Sequence, residues 1–165
     1  MKNQNFTIHF DLDGVMADFE AKWYQHFPDI DMSKMRLENR VLYNLIKDIE
    51  NYWEDIPFIE SIRPLWDYCY ERYDVQILSA PLDCDTERCI QGKNTFLDVH
   101  LGDYEFKRNY YAHEKKCLLA NENSLLIDDK ESNVLEFRAA GGMAILHEVH
   151  NTQRTMDILK YGFGL

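Results

Sequence analysis

Three groups of polar residues stand out because each immediately follows a short apolar run. Asp11 and Asp13 follow Phe6-Thr7-Ile8-His9-Phe10, Ser79 follows Val75-Gln76-Ile77-Leu78, and Asp128-Asp129 follow Leu125-Leu126-Ile127. Lys116 lies on the segment that leads into the last group. A carboxylate pair at the end of one strand is often no more than a solvated turn; its recurrence beside a hydroxyl and a lysine is what suggests chemistry. Carboxylates forced together repel one another unless a cation neutralises them. A ligand set of oxygens, with no His or Cys among them, selects Mg²⁺ over Zn²⁺, and Mg²⁺ usually shares its octahedron with waters and a substrate phosphate. The expected substrate therefore carries phosphate. Lys116 would be a point charge on it, Ser79 a hydrogen-bond donor to it, and Gly14, lacking a Cβ, would let backbone come close to the anion.

The elements needed to bring these residues together can be read from the apolar pattern. Phe6 to Phe10 reads as a buried strand stopping at Asp11-Leu12-Asp13-Gly14. Leu37, Val41, Leu45 and Ile49, with Leu42 and Ile46 beside them, recur at helical spacing, which predicts an amphipathic helix from Ser33, as N-cap, to Trp53. Beyond Pro57 the pattern predicts a helix from about Pro64 to Arg72, a strand Val75–Leu78, a helix from about Thr86 to Leu97 and a strand Tyr104–Asn109. A helix near Glu114 to Asn121, a strand Leu125–Ile127, a helix from about Glu131 to Ala140 stopped by Gly141-Gly142, and a strand Met143–Leu146 complete it. Short strands alternating with helices predict an α/β fold with a Rossmann-like, mostly parallel sheet flanked by helices. In such sheets ligands sit beyond the carboxyl ends of the strands, where the acidic groups fall.

The 165 residues suffice for a single domain, 1–165, with a modest insertion. At 45% hydrophobic, with four prolines and seven glycines, the chain can bury a sizeable core. Lysine plus arginine number 18 against 29 acidic residues, a net charge of −11 that argues against long nucleic acid as a partner. No apolar run is long enough for a membrane span. The first residues lack the apolar stretch of a signal peptide and the four cysteines form no CxxC pair, so the expectation is a cytoplasmic protein with reduced thiols.

Asp11-Leu12-Asp13-Gly14-Val15, Ser79 after its strand, Lys116, and Leu126-Ile127-Asp128-Asp129 resemble, in order, the four motifs of the haloacid dehalogenase (HAD) superfamily, over a span from Phe6 to about Leu146. The resemblance implies a HAD-like fold in which Asp11 attacks phosphorus to form an aspartyl-phosphate, while Asp13 protonates the leaving oxygen and later activates water. It also implies Mg²⁺ held by the Asp11 carboxylate, the Asp13 backbone carbonyl and Asp128, with Asp129 acting through water or orienting the ligands. The dehalogenase branch, which attacks carbon, lacks an acid at the position of Asp13, so the resemblance is to the phosphate-transferring members. Asp11 through Phe19, Leu78-Ser79-Ala80-Pro81, and the stretch around Ala140-Gly141-Gly142 are similar to the 5′(3′)-deoxyribonucleotidase family. By that similarity the segment from about 20 to 59 is a small helical cap inserted after the first strand, and Phe19 and Trp53 face a nucleobase. Aromatics at the base of a cap more often belong to its own core, and that reading is the favoured one for Trp53.

Two departures bear on substrate. Ala80 replaces a hydroxyl that nucleotidases often carry after the second motif, and Pro57-Phe58-Ile59-Glu60-Ser61 lacks their Pro-Gly turn. The leading expectation is a Mg²⁺-dependent phosphomonoesterase acting on nucleoside monophosphates. The alternatives are the same chemistry on another small phosphomonoester or on a polynucleotide 3′-phosphate, and a phosphate-binding module without turnover. Elsewhere, His147 and His150 have no third ligand nearby and read as surface histidines, and the four cysteines read as packing residues. The Tyr104 to Tyr111 run, with Lys107 and Arg108 among aromatics, suits either base stacking or a charged edge strand; the net charge favours the strand.

Overall fold

The run Phe6, Ile8, Phe10 is buried on both flanks because it forms the middle strand of the sheet. A computed structural model describes residues 2–32, 39–111 and 115–165. Its five strands are β1 (Asn3–Phe10), β2 (Tyr73–Ser79), β3 (Lys107–Tyr110), β4 (Ser124–Asp128) and β5 (Met143–Leu146), all parallel, in the order β3-β2-β1-β4-β5. The helices are α1 (Phe19–His26), α2 (Asn39–Ile46), α3 (Arg63–Arg72), α4 (Thr86–Leu101), α5 (Glu131–Ala139) and α6 (Thr152–Asp157). This is the expected α/β, Rossmann-like architecture. One face of the sheet packs Ile8, Phe10, Val75, Ile77 and Ile127 with Trp66, Phe96 and Leu97 from the helices. On the other, Leu78, Leu126 and Ala144 pack against Val134 and Phe137 of α5. Among the described residues no helix is long and apolar enough to cross a membrane.

The order of the strands places the chemistry. The chain builds outward from β1 to β2 and β3, then crosses to the other side of β1 for β4 and β5, so the connections diverge at the carboxyl ends of β1 and β4. Phe10 is in register with Ile77 on one side and Ile127 on the other. The next residues, Asp11 and Asp128, therefore emerge side by side, and the Asp11 N–H donates to the Ile127 carbonyl at 2.9 Å.

The stretch after β1 leaves the sheet, and residues 57–59 return to pair with residues 16–18. Asp18 N–H donates to the Pro57 carbonyl and Ile59 N–H to the Met16 carbonyl, both at 2.8 Å. Within this stretch the expected helix from Ser33 to Trp53 is corrected. Ser33 and Leu37 lie outside the described residues, α2 ends at Ile46, and residues 47–55 form successive turns. The Arg88 guanidinium, from α4, donates to the Lys47 and Ile49 carbonyls at 2.7 and 2.6 Å, and Asn51 adopts a left-handed φ of 50°. Carbonyls captured from outside the helix and a left-handed residue stop the periodicity from propagating. Helix α1 breaks no helical rule but was not anticipated; the Asp18 carboxylate caps it by accepting from Ala21 N–H at 2.9 Å.

Other boundaries also move. The expected helix near Glu114 to Asn121 is a 3₁₀ turn, Lys116–Leu119, between extended residues Lys115 and Ala120; residues 112–114 lie outside the description. Strand β3 starts at Lys107 because Tyr104 still closes the turn after α4, its N–H donating to the Leu101 carbonyl at 3.0 Å. It is an edge strand, and Arg108 is tied to Asp98 and Asn94 of α4. Helix α6 and the π-helical turn Ile158–Gly162 add a C-terminal element that the pattern had not suggested. His147 is not on the surface: it is 2% exposed, with Nδ1 2.9 Å from the Thr155 hydroxyl. Cys69 and Cys89 are packing residues, but Cys84 is exposed.

Candidate active site

At the divergence of β1 and β4, Lys116 reaches between two buried carboxylates. Its Nζ lies 2.6 Å from Asp11 Oδ1 and 2.7 Å from Asp128 Oδ2. Asp128 is fully buried at the end of β4; Lys130 N–H donates to its Oδ1, and the Asn133 amide, from the first turn of α5, lies 3.1 and 3.0 Å from its two oxygens. Asp11 Oδ1 also accepts from the Leu12 N–H at 2.8 Å. Burial, with the charges of Asp128 and Asp13, raises the Asp11 pKa well above the usual carboxylate range, against the opposing pull of Lys116. Asp129 is reached by solvent, yet the protein packed around it and the Asp128 charge push its carboxyl up to about 6. Burial disfavours the Lys116 ammonium, but Asp11 and Asp128 outweigh it and hold its pKa above the usual lysine value.

Oxygen atoms of Asp11, Asp128 and Asp129 lie within 4.8 Å of one another. Gly14, at φ 75°, takes a conformation that glycine adopts freely, and a Cβ there would overlap the Asp129 carboxylate. The second motif is less exposed than expected. Ser79 is fully buried, and its hydroxyl accepts from the Nζ of Lys93 at 2.9 Å. That ammonium also donates to Asp13 Oδ2 at 2.6 Å and to the Ala80 carbonyl at 3.1 Å. Lys93 is 1% exposed; burial disfavours its ammonium, but the charge and hydrogen bond of Asp13, with Cys89 and Asp11, together outweigh burial and hold its pKa above the usual value.

These groups open on a cleft of about 700 Å³ whose wall includes Asp11, Asp13, Lys93, Lys116 and Asp129 near the strand ends and Phe19 and Trp53 from the inserted stretch. Phe19 is half-buried, its ring centroid 6.0 Å from those of Tyr52 and Trp53. Trp53 is only 3% exposed, so most of its ring belongs to the core. His150 is on the cleft wall too. Of the expected site residues, Asp11, Asp13, Phe19, Trp53, Lys116 and Asp129 line this cleft; Asp128 is fully buried and meets the site through Lys116, and Ser79 stands behind Lys93 and Ala80.

Two contributors were missed. Asn133 carried no signal, being one polar residue in the first turn of a helix. Lys93 did: Cys89, Lys93, Phe96 and Leu97 share one helical face, so the pattern put a charge on the buried side of α4. A lysine at such a position requires an acidic partner, and Asp13 is that partner.

No protein-family model matches the sequence, and no curated protein matches it. Solved structures do. YfnB of Bacillus subtilis, described as a HAD-hydrolase and bound to magnesium, aligns over 95% of this chain and 99% of its own with a TM-score of 0.64 at 14% identity. The chain has the haloacid dehalogenase-like fold. A HAD-like family hydrolase of Streptococcus pneumoniae aligns over 95% of this chain and 98% of its own, TM-score 0.59 at 15% identity. One from Xanthomonas campestris covers 87% and 83%, TM-score 0.52 at 15% identity. At these identities the likeness is one of HAD-like fold, and the chemistry rests on the residues at the strand ends.

Proposed function

We propose that this protein is a Mg²⁺-dependent phosphomonoesterase that hydrolyses nucleoside monophosphates, deoxy forms included, through an aspartyl-phosphate on Asp11. The observation that carries the reading is Asp11 at the switch point of the sheet, with Lys116 bonded to it, Asp128 and Asp129 beside it, and Asp13 on the wall of the same cleft. An oxygen of Asp11 forms a bond to phosphorus as the ester P–O bond breaks, and Asp13 gives the leaving oxygen its proton. Water then attacks the aspartyl-phosphate, Asp13 takes its proton, and phosphate departs with Asp11 restored. Lys116 offsets charge on the phosphoryl oxygens and on Asp11 throughout.

The donor set fits a hard divalent cation. Carboxylate oxygens of Asp11, Asp128 and Asp129 come within 4.8 Å of one another, an all-oxygen set of the kind such an ion prefers. Asp11, Asp128 and the Asp13 backbone carbonyl would hold it, with Asp129 orienting the ligands. When bound, the ion supplies positive charge against the phosphoryl oxygens. The magnesium bound in YfnB supports the choice of ion.

Residues from about 20 to 59 serve in this reading as the cap that chooses the leaving group, with Phe19 against the base. A second reading, a sugar phosphate or other small phosphomonoester, is favoured by the burial of Trp53 and by Asp18, Glu20 and Asp83 on the cleft wall, which can bind hydroxyls. Phosphate release from nucleotides, sugar phosphates and glycerol phosphate, with and without Mg²⁺, separates the two. Nucleotides should be fastest, activity should vanish with chelator, and a folded Asp11→Asn variant should be inactive. Sugar phosphates outperforming every nucleotide would promote the second reading, and an active Asp11→Asn would refute the mechanism.

A further inference from the structure

Lys93 is the least expected charge in the molecule. It projects from the middle of α4, is 1% exposed, and places one ammonium on three partners: Asp13 Oδ2, the Ser79 hydroxyl and the Ala80 carbonyl. Those partners belong to the loop after β1, the last residue of β2 and the first residue of the loop that follows it. The third donor position of an ammonium is thereby used, so its geometry is fixed by the protein alone. Burying such a group is costly, and it is tolerated only where the partner charge is close and well oriented. Around it the packing is equally tight. The neighbouring Gly92 has no Cβ because one would overlap Trp53, and the Lys93 Nζ lies 5.6 Å from the centroid of the Trp53 ring.

The two oxygens of Asp13 are not equivalent. The Asp13 side chain is 32% exposed and lines the cleft, but Oδ1 is enclosed and has no hydrogen-bond partner among the described residues. The oxygen that a substrate can reach is therefore Oδ2, the one that Lys93 holds. A carboxylate three residues beyond the end of β1 can take any of several staggered rotamers unless something fixes it. Lys93 is what fixes it here.

We propose that Lys93 is a positioning residue that holds Asp13 with Oδ2 turned to the cleft and locks the loop after β1 to the loop after β2. The proposal rests on the phosphomonoesterase reading for what Asp13 does, but not for the pairing itself. In the first step the proton moves from Asp13 to the leaving oxygen as the ester P–O bond breaks and the Asp11 bond to phosphorus forms. A proton donor displaced by an ångström loses much of its effect, and only for leaving groups that need the proton.

The test uses Lys93→Met, Asp13→Asn and the double variant, first in thermal melts of the whole chain. Each single change should lower Tm, Lys93→Met by leaving a carboxylate without its partner and Asp13→Asn by leaving a buried ammonium without its own. The double variant should melt above the value expected from adding the two losses. Additive losses would overturn the pairing. The second arm is kcat/KM for an alkyl phosphate and for nitrophenyl phosphate, whose leaving group needs no proton. Lys93→Met should lose about 10- to 100-fold more on the alkyl ester, part of the roughly 10²–10⁴ that a placed acid supplies, and should cost nothing further in the Asp13→Asn background. Equal losses on both esters would make Lys93 a structural residue only and overturn the positioning role. If the parent protein hydrolyses neither ester, the phosphomonoesterase reading and the positioning role of Lys93 fall together, and coupled melts would then leave a purely structural pair.

Discussion

Replacing Lys116 by Met keeps most of the side chain's length and removes only its charge. Asp11, 7% exposed, and Asp128, fully buried, would then face each other without the ammonium now 2.6 and 2.7 Å from them. Removing one partner from a buried ion pair typically costs about 3–5 kcal/mol, because the remaining charge stays desolvated. For a chain of this size each kcal/mol is worth about 2–4 °C, so Tm should fall on the order of 6–20 °C in chelator at pH 8. The loss should shrink in acid. Burial already raises the Asp11 pKa, and without Lys116 it rises further. A carboxyl whose folded pKa lies above its unfolded value stabilises the fold below the unfolded pKa, and that contribution is lost as pH rises through the folded pKa. At pH 5.5 a proton on Asp11 therefore replaces part of what the ammonium supplied. Mg²⁺ should raise Tm at pH 8 more in the variant than in the parent, because the cation then meets one more uncompensated negative charge. Calorimetric melts of both proteins at the two pH values, with Mg²⁺ or chelator, measure all of this. A variant that melts like its parent at pH 8 without Mg²⁺ would refute the claim that Lys116 holds these carboxylates together.

Asp128→Ala should raise the Mg²⁺ concentration needed for half-maximal activity far more than Asp129→Ala, because Asp128 is buried beside Asp11 whereas Asp129 is reached by solvent; titrations of equal midpoint would contradict that ranking. Phe19→Ala should remove any preference for nucleotides over glycerol phosphate, on the order of 1–3 kcal/mol of transition-state binding, while hydrolysis of nitrophenyl phosphate stays nearly intact. A retained preference would assign base recognition elsewhere. His9, packed edge-on against Phe137, is held by burial at a pKa of about 4, against 6.5 for the free side chain. Its stabilising contribution is present above pH 6.5 and is lost as pH falls towards 4, up to about 3 kcal/mol at 1.36 kcal/mol per unit. Relative to the parent, His9→Leu should therefore gain in Tm as pH drops from 7 to 4.5, and a pH-independent difference would exclude His9 as a source of acid lability.

Strand positions were legible because burial on both faces demands a continuous apolar run, and each run ends where its backbone must meet water or a ligand. Hence Asp11, Asp13 and Asp128-Asp129 could be assigned to one end of a parallel sheet from order and spacing alone. The stretch after β1 was less legible. Helical periodicity from Leu37 to Ile49 does not encode that Arg88, some forty residues on, takes the Lys47 and Ile49 carbonyls and ends the helix. Nor does the run after Tyr111 encode that Lys116 stands on a 3₁₀ turn. Lys93 shows the division most clearly. Its helix and its place on the apolar face are local facts, set by a 3.6-residue repeat. That its ammonium would meet Asp13, eighty positions earlier, depends on how α4 packs across the ends of β1 and β2. Local sequence determines which groups are polar and which face they share, because propensity and periodicity act within a few residues. Tertiary packing decides which charges become partners, because a buried charge is stable only where another element delivers its counterpart.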